Sequence, residues 1–75
     1  MNAKKRKSLK EIVEKIESIS EEISTILEEE ENVRDSIPES FTSAIEISEN
    51  ACGDMEGAVD CLSDAIDYLN NITEE

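Results

Sequence analysis

Apolar residues recur every seven positions along the first half of the chain. One row contains Leu9, Ile16, Ile23 and Ile37, with Glu30 as its single polar member. A second row contains Ile12, Ile19, Ile26 and Val33. Val13 and Leu27 widen the stripe, as is typical of a helix in a bundle rather than of a narrow two-stranded coiled coil. The pattern predicts a helix over about residues 8–36 with both rows in its core.

Local signals predict where this first helix begins and ends. Ser8 followed by Glu11 matches a capping box, in which each side chain binds a backbone N–H of the first turn. Pro38 disfavours helical geometry at Ile37 and supplies no backbone donor. We therefore expect a basic N-terminal arm over residues 1–7 and a turn over about residues 37–42.

The second half of the chain predicts another long helix, over about residues 43–72. Ser43 with Glu46 provides a start signal, with Ser40 and Thr42 as alternatives. Its expected core rows are Ile45, Cys52, Val59 and Ile66, and Ser48, Met55, Leu62 and Leu69. A row of small residues flanks them and allows another helix to approach closely: Ala44, Ala51, Ala58 and Ala65. Gly53 and Gly57 lie on the outward side, where they either bend the helix or clear a surface for a partner.

These elements predict an all-α fold, a single domain of two long antiparallel helices. A chain of 75 residues buries too little surface for a large core, and its core must be aliphatic because it has one Phe, one Tyr and no Trp. Pairing of two or more hairpins, most simply into a four-helix bundle, is the expected remedy. The residues expected to mediate self-association are Ile12, Ile16, Ile19, Ile23, Ile26, Ala51, Ala58, Leu62, Ala65, Ile66 and Leu69.

The charge is strongly negative and unevenly distributed. The formal net charge is −13, and five of the seven basic residues are Lys4, Lys5, Arg6, Lys7 and Lys10. Direct nucleic-acid binding needs clustered cations along the contact face, so a protein with a basic surface is the better partner. The candidate partner-binding carboxylates are Glu14, Glu17, Glu21, Glu22, Glu28, Glu29, Asp54, Glu56, Asp60, Asp64 and Asp67.

The basic cluster near the N-terminus has two readings. In an antiparallel hairpin it lies beside Glu74 and Glu75 and the negative end of the second helix, which it can neutralise. Alternatively, Lys4 to Lys7 form an arm that contacts nucleic acid or an anionic membrane.

Candidate chemistry is sparse. The chain has no histidine to activate Cys52 or Cys61 or to complete a zinc site, and helical carboxylates point away from each other rather than around a cation. We therefore expect no enzyme activity, metal or cofactor. No apolar run has the length of a membrane span, which makes the cytoplasm the expected location.

Several segments together resemble small acidic proteins of phages and mobile elements in Firmicutes. These segments are the basic opening Lys4-Lys5-Arg6-Lys7, the turn Ile37-Pro38-Glu39-Ser40, and the sequences Ala58-Val59-Asp60 and Ala65-Ile66-Asp67-Tyr68-Leu69. The resemblance implies a setting in which such proteins disable host defence by binding a nuclease or another protein that handles nucleic acid. In that case the chain would work in the host cytoplasm.

The leading hypothesis is a non-enzymatic inhibitor of the anti-CRISPR or anti-restriction type, whose carboxylates occupy a basic nucleic-acid-binding surface. A structural or regulatory module that recruits a partner helix through its apolar rows is the main alternative. A third is a sponge that sequesters a small anionic signalling molecule at the basic N-terminal ends of an oligomer.

Overall fold

Two long helices make up nearly all of the chain. The computed structural model describes residues 1–74, in which helix α1 (Ala3–Ser36) is joined by a short turn to helix α2 (Thr42–Thr73). These residues contain no strand, and the helices pack against each other as a hairpin. The Cα positions extend over 59 × 15 × 12 Å, so the hairpin is a thin, straight rod. Within the same residues, neither helix combines the length and apolar character of a membrane span.

The first helix begins earlier than predicted. Its N-cap is Asn2, whose side-chain oxygen accepts a hydrogen bond from the backbone N–H of Lys5 at 2.8 Å. Ser8 is not a cap, because its hydroxyl donates to the carbonyl of Lys4 inside the helix. The predicted arm over residues 1–7 is therefore wrong from Ala3 onward. The reason is local: Asn is a strong N-cap residue, and Ala, Lys and Arg are good helix formers.

The turn lies close to its predicted position. Helix α1 ends at Ser36, and the N–H of Ile37 donates to the carbonyl of Arg34. The N–H of Phe41 donates to the carbonyl of Pro38 at 2.9 Å, which closes the turn. Helix α2 begins at Thr42 without a side-chain cap and ends at Thr73, within one residue of each predicted boundary.

The two helices meet along rows that are largely those predicted. In α2 the inward positions include both expected core rows, with Cys52 and Ser48 buried and Ile45, Met55, Val59, Leu62, Ile66 and Leu69 half-buried. In α1 the row that begins at Leu9 also faces α2 and is half-buried. Val13 and Cys52 are the only buried apolar side chains that the described residues provide. A hairpin of this shape therefore has a very small core of its own.

The second predicted core row of α1 does not lie in the core. Ile12, Ile19, Ile26 and Val33 are 42%, 48%, 54% and 53% exposed, respectively. The row that packs on α2 in their place contains Val13, Ser20, Leu27 and Arg34. Helix α1 is thus rotated so that its wide apolar stripe is shared between α2 and solvent. The prediction placed both rows in the core of a bundle; within one hairpin α2 covers only the first of them, because one neighbouring helix covers only part of so wide a stripe.

A polar contact interrupts the interhelical core near the turn. The Ser48 hydroxyl, which is buried, donates to a carboxylate oxygen of Glu30 at 2.8 Å. Glu30 is half-buried and neither reaches freely into solvent nor pairs with Arg34, whose guanidinium lies 3.5 Å from Asp35 instead. Glu30 lies in the core row that begins at Leu9, where a carboxylate without a hydrogen-bond partner would destabilise the fold. The hydrogen bond from Ser48 supplies that partner.

Candidate interaction surfaces

The hairpin has two broad sides, and shallow depressions on the surface identify the residues that share each side. One depression is lined by Val33 of α1 and Ala44 of α2, together with turn residues. Another is lined by Lys10, Glu14 and Glu17 of α1 with Asn70 and Glu74 of α2. Inward positions recur every seven residues along α1, so residues seven apart stay on the same side of the hairpin. The two sides can therefore be followed along the whole rod.

One side, which we name the apolar face, carries the exposed isoleucine row of α1 beside the alanine row of α2. Its members are Ile12, Ile19, Ile26, Val33, Ala44, Ala51, Ala58 and Ala65. Ala51 and Ala65 are half-buried, whereas Ala44 and Ala58 are exposed. Small side chains on α2 therefore form a trough alongside a ridge of larger side chains on α1.

The opposite side, which we name the acidic face, carries most of the carboxylates. Its members are Glu14, Glu17, Glu21, Glu28, Glu31 and Asp35 on α1, with Glu46, Glu49, Glu56, Asp60, Asp67 and Glu74 on α2. The cations on this face are Lys7 and Lys10, both at one end of the rod. The remainder of the face has no cation, and only neutral residues separate its carboxylates.

All of the candidate partner-binding carboxylates are exposed, but they do not lie together. Glu22, Glu29 and Asp54 flank the apolar face, and Asp64 lies on the outer edge of α2. The others belong to the acidic face. Sequence reasoning did not select Glu31, Asp35, Glu46, Glu49 and Glu74, which lie on that same face. The missing signal was their heptad spacing from carboxylates that were selected: seven residues from Glu28, Glu56 and Asp67, and fourteen residues from Glu17 and Asp60.

The candidate self-association residues also separate into two groups. Ile16, Ile23, Leu62, Ile66 and Leu69 are half-buried between α1 and α2 of one chain. Ile12, Ile19, Ile26, Ala51, Ala58 and Ala65 belong to the apolar face. Only the second group is turned toward a surface that another molecule can reach.

Ion pairs contribute little to this surface. Within residues 1–74 one salt bridge forms, between the neighbouring residues Arg34 and Asp35. The predicted neutralisation of Glu74 by the basic cluster is not seen as an ion pair, and Glu75 lies outside the described residues. Lys4 and Lys5 instead line a shallow depression at the N-terminal end of α1. That depression is where the predicted anionic molecule of the sponge hypothesis would bind.

The two cysteines have contrasting surroundings, and Cys52 is buried as its predicted core position indicates. Cys52 is 2% exposed, whereas Cys61 is exposed on α2, and both are free thiols. Burial raises the pKa of the Cys52 thiol, the Arg34 guanidinium opposes that shift, and the carboxylates of Glu31 and Glu30 add to it. A thiol held neutral in this way is a poor nucleophile.

This contrast predicts two very different thiol reactivities. In the folded protein at pH 8, we expect Cys61 to react with a chromogenic disulfide at the rate of an unhindered thiol, and Cys52 on the order of 100-fold more slowly. Cys61→Ser is the control and should leave only the slow phase, which becomes fast in denaturant. Equal rates for the two thiols in the folded wild type would contradict the packing of Cys52.

Known proteins offer no guide to these surfaces. Comparison of the chain with protein-family models, with curated proteins and with solved structures gives no significant match. In the part of the chain that the structure describes, no group of three or more His, Cys, Asp or Glu side chains is arranged to hold a metal ion. The hairpin has two distinct surfaces, an apolar face and an acidic face, on opposite sides of the rod.

Proposed function

We propose that this protein is a non-enzymatic binding module whose acidic face occupies a basic, nucleic-acid-binding surface of another protein and blocks it. The observation that carries the proposal is the set of carboxylate rows that share one face of a rod 59 Å long. To a basic groove on a partner, carboxylates at this spacing offer the same kind of negative charge as a phosphate backbone. A host defence nuclease is the partner class we favour.

Two further features support a protein partner rather than a small ligand. The carboxylates of the acidic face lie on two packed helices, so their spacing is fixed before binding. The entropy cost of binding is then mainly that of fixing the rotamers of these carboxylate side chains. From residue 11 onward the only cations are Lys15 and Arg34, and neither lies on the acidic face. Beyond Lys7 and Lys10 at one end, the face therefore attracts a cationic surface without competition from cations of its own.

We further propose that two hairpins pair into a four-helix bundle, which would double the formal charge of −13 carried by one chain. The small core favours this pairing, because Val13 and Cys52 alone are buried as apolar side chains in the described part of the chain. Pairing through the apolar face would leave the acidic face of each copy exposed.

The binding proposal predicts a loss of affinity when one outward row of the acidic face is reversed. Glu14→Lys, Glu21→Lys and Glu28→Lys together should weaken target binding on the order of 100-fold at low salt. The matched control is Glu11→Lys, Glu39→Lys and Asp64→Lys, which changes the net charge equally but lies outside both faces. The control should retain most of the affinity.

The assay is affinity capture from a lysate of the host cell, washed at low and high salt with and without competing DNA. Mass spectrometry identifies the retained protein, and titration of that purified protein then compares the two charge-reversed variants. A partner that is retained at low salt and displaced by DNA supports the proposal. A partner that stays bound at high salt and is not displaced by DNA would instead favour recruitment through apolar contacts. Equal loss of affinity in both variants would favour a diffuse effect of net charge.

A further inference from the structure

We infer that the apolar face is covered by a second copy of this chain, with α1 of one copy antiparallel to α1 of the other. The inference rests on the pairing of hairpins proposed above and adds the face and the orientation. It concerns a different surface from the acidic face, so target binding is tested separately.

The first argument is that the apolar face is the side of the hairpin least suited to water. Ile12, Ile19, Ile26 and Val33 are each about half exposed although they repeat every seven residues over most of α1. Isolated exposed apolar residues are common, but a continuous row of this length indicates an interface. The acidic face on the opposite side carries carboxylates along its length, and two such faces would repel each other. A second hairpin can therefore pack only on the apolar face.

The second argument is area. The broad side of the rod measures 59 by 15 Å between Cα positions, an outline of about 900 Å² that has room for the roughly 800 Å² per partner of a standard protein interface. The apolar face from Ile12 to Val33 takes about 32 Å of this length by helical rise. A second copy of the same rod matches this outline from end to end, because both partners have the same length. No additional segment of the chain is needed to fill the interface.

The third argument concerns two further exposed residues on α2. Ile47 and Tyr68 are 71% and 73% exposed, and each lies three residues after a member of the alanine row, at opposite ends of that row. Residues three apart on a helix are surface neighbours, so both extend the apolar face outward. Asp54 and Cys61 lie between them in the same seven-residue row, so only the two ends of this row are apolar. Antiparallel pairing brings the Ile47 end of one copy to the Tyr68 end of the other.

Charge decides the orientation. Lys15, Glu22 and Glu29 follow the isoleucine row along one edge of the apolar face, each three residues after one of its members. When Ile12 of one copy faces Val33 of the other, Lys15 comes beside Glu29 of the second copy, and this pair occurs twice. The one like-charge contact is Glu22 with Glu22 at the two-fold axis. Pairing with the two α1 helices parallel would instead place α1 of each copy against α2 of the other, and the Lys15–Glu29 pairs would not form.

The first experiment disrupts the face with a charge. Sedimentation equilibrium of the full chain should show a dimer, and Ile19→Glu should raise the dimer dissociation constant at least about 100-fold. Ser63→Glu adds the same side chain at an exposed position of α2 away from the apolar face and should not change the constant. A wild type that is monomeric at every concentration, or equal effects of both substitutions, would overturn the inference.

The second experiment tests orientation and remains informative if Ile19→Glu prevents folding. Lys15→Glu should weaken the dimer roughly tenfold, and Lys15→Glu with Glu29→Lys should restore it. The two residues are 14 positions apart on one helix, about 21 Å by helical rise, so a direct contact between them can form only between chains. Both side chains are exposed, and circular dichroism should show the same helix content in each variant. A stable dimer without rescue would overturn the antiparallel orientation and leave the acidic-face proposal intact.

Discussion

Replacing both glycines of α2 with alanine should raise the free energy of unfolding by about 2 kcal/mol, because each glycine in a helix interior costs about 1 kcal/mol relative to alanine. Gly53 and Gly57 lie within Thr42–Thr73, neither has a positive φ, and an added Cβ would meet nothing within 4 Å at either position. Alanine therefore gains helix propensity without a steric penalty. For a chain of this size the gain corresponds to an increase in Tm of roughly 8–15 °C.

Thermal and urea unfolding at one fixed protein concentration provide the measurement. Ser63→Ala is the control, since it is an exposed position of the same helix and should change stability by about 0.5 kcal/mol or less. An unchanged or lower Tm in the variant with alanine at both positions would show that the native helix needs glycine there. A more stable variant that no longer binds its target would show that the glycines clear a surface for the partner.

Ser48→Ala should lower the free energy of unfolding by roughly 1–3 kcal/mol, since it leaves a half-buried carboxylate without its donor. The hydroxyl of Ser48 donates to Glu30 at 2.8 Å, and every buried polar side-chain atom in the described residues has a partner in the native structure. Removing only the serine keeps the cost of placing Glu30 at a core position. It also removes the hydrogen bond that offsets this cost.

The matching double variant should reverse the loss. Glu30→Leu with Ser48→Ala replaces the polar pair with an apolar contact, and stability should return at least to that of the wild type. Urea unfolding of the wild type, both single variants and the double variant gives the coupling free energy between the two side chains. A Ser48→Ala variant as stable as the wild type would mean that water satisfies Glu30. If the double variant were less stable than Ser48→Ala, position 30 would not be an apolar core position.

Parts of the fold follow from local patterns that act within one helix. Pro38 disfavours helical geometry at the preceding residue, and the structure ends α1 just before it. Both core rows of α2 lie inward as predicted, because a narrow apolar stripe leaves only one rotation that buries it. The buried Cys52 and exposed Cys61 follow from the same rotation.

Other parts depend on competition between signals. Ser8 and Glu11 form a recognisable capping pattern, yet the helix continues through them to Asn2, whose cap lies at the end of a run of good helix formers. A capping motif inside such a run lacks the break in helix propensity that would make it a terminus. The overlooked signal was the asparagine itself.

The sequence by itself determined that the chain forms two long helices, where the turn between them lies, and which residues of α2 face inward. Only the tertiary structure decided that Val13 and Leu27 pack on α2 while Ile12, Ile19 and Ile26 remain on the surface. It also decided which carboxylates share a face. The physical reason is that periodicity specifies a stripe, whereas the rotation of a helix with a wide stripe is set by the packing of one helix against another.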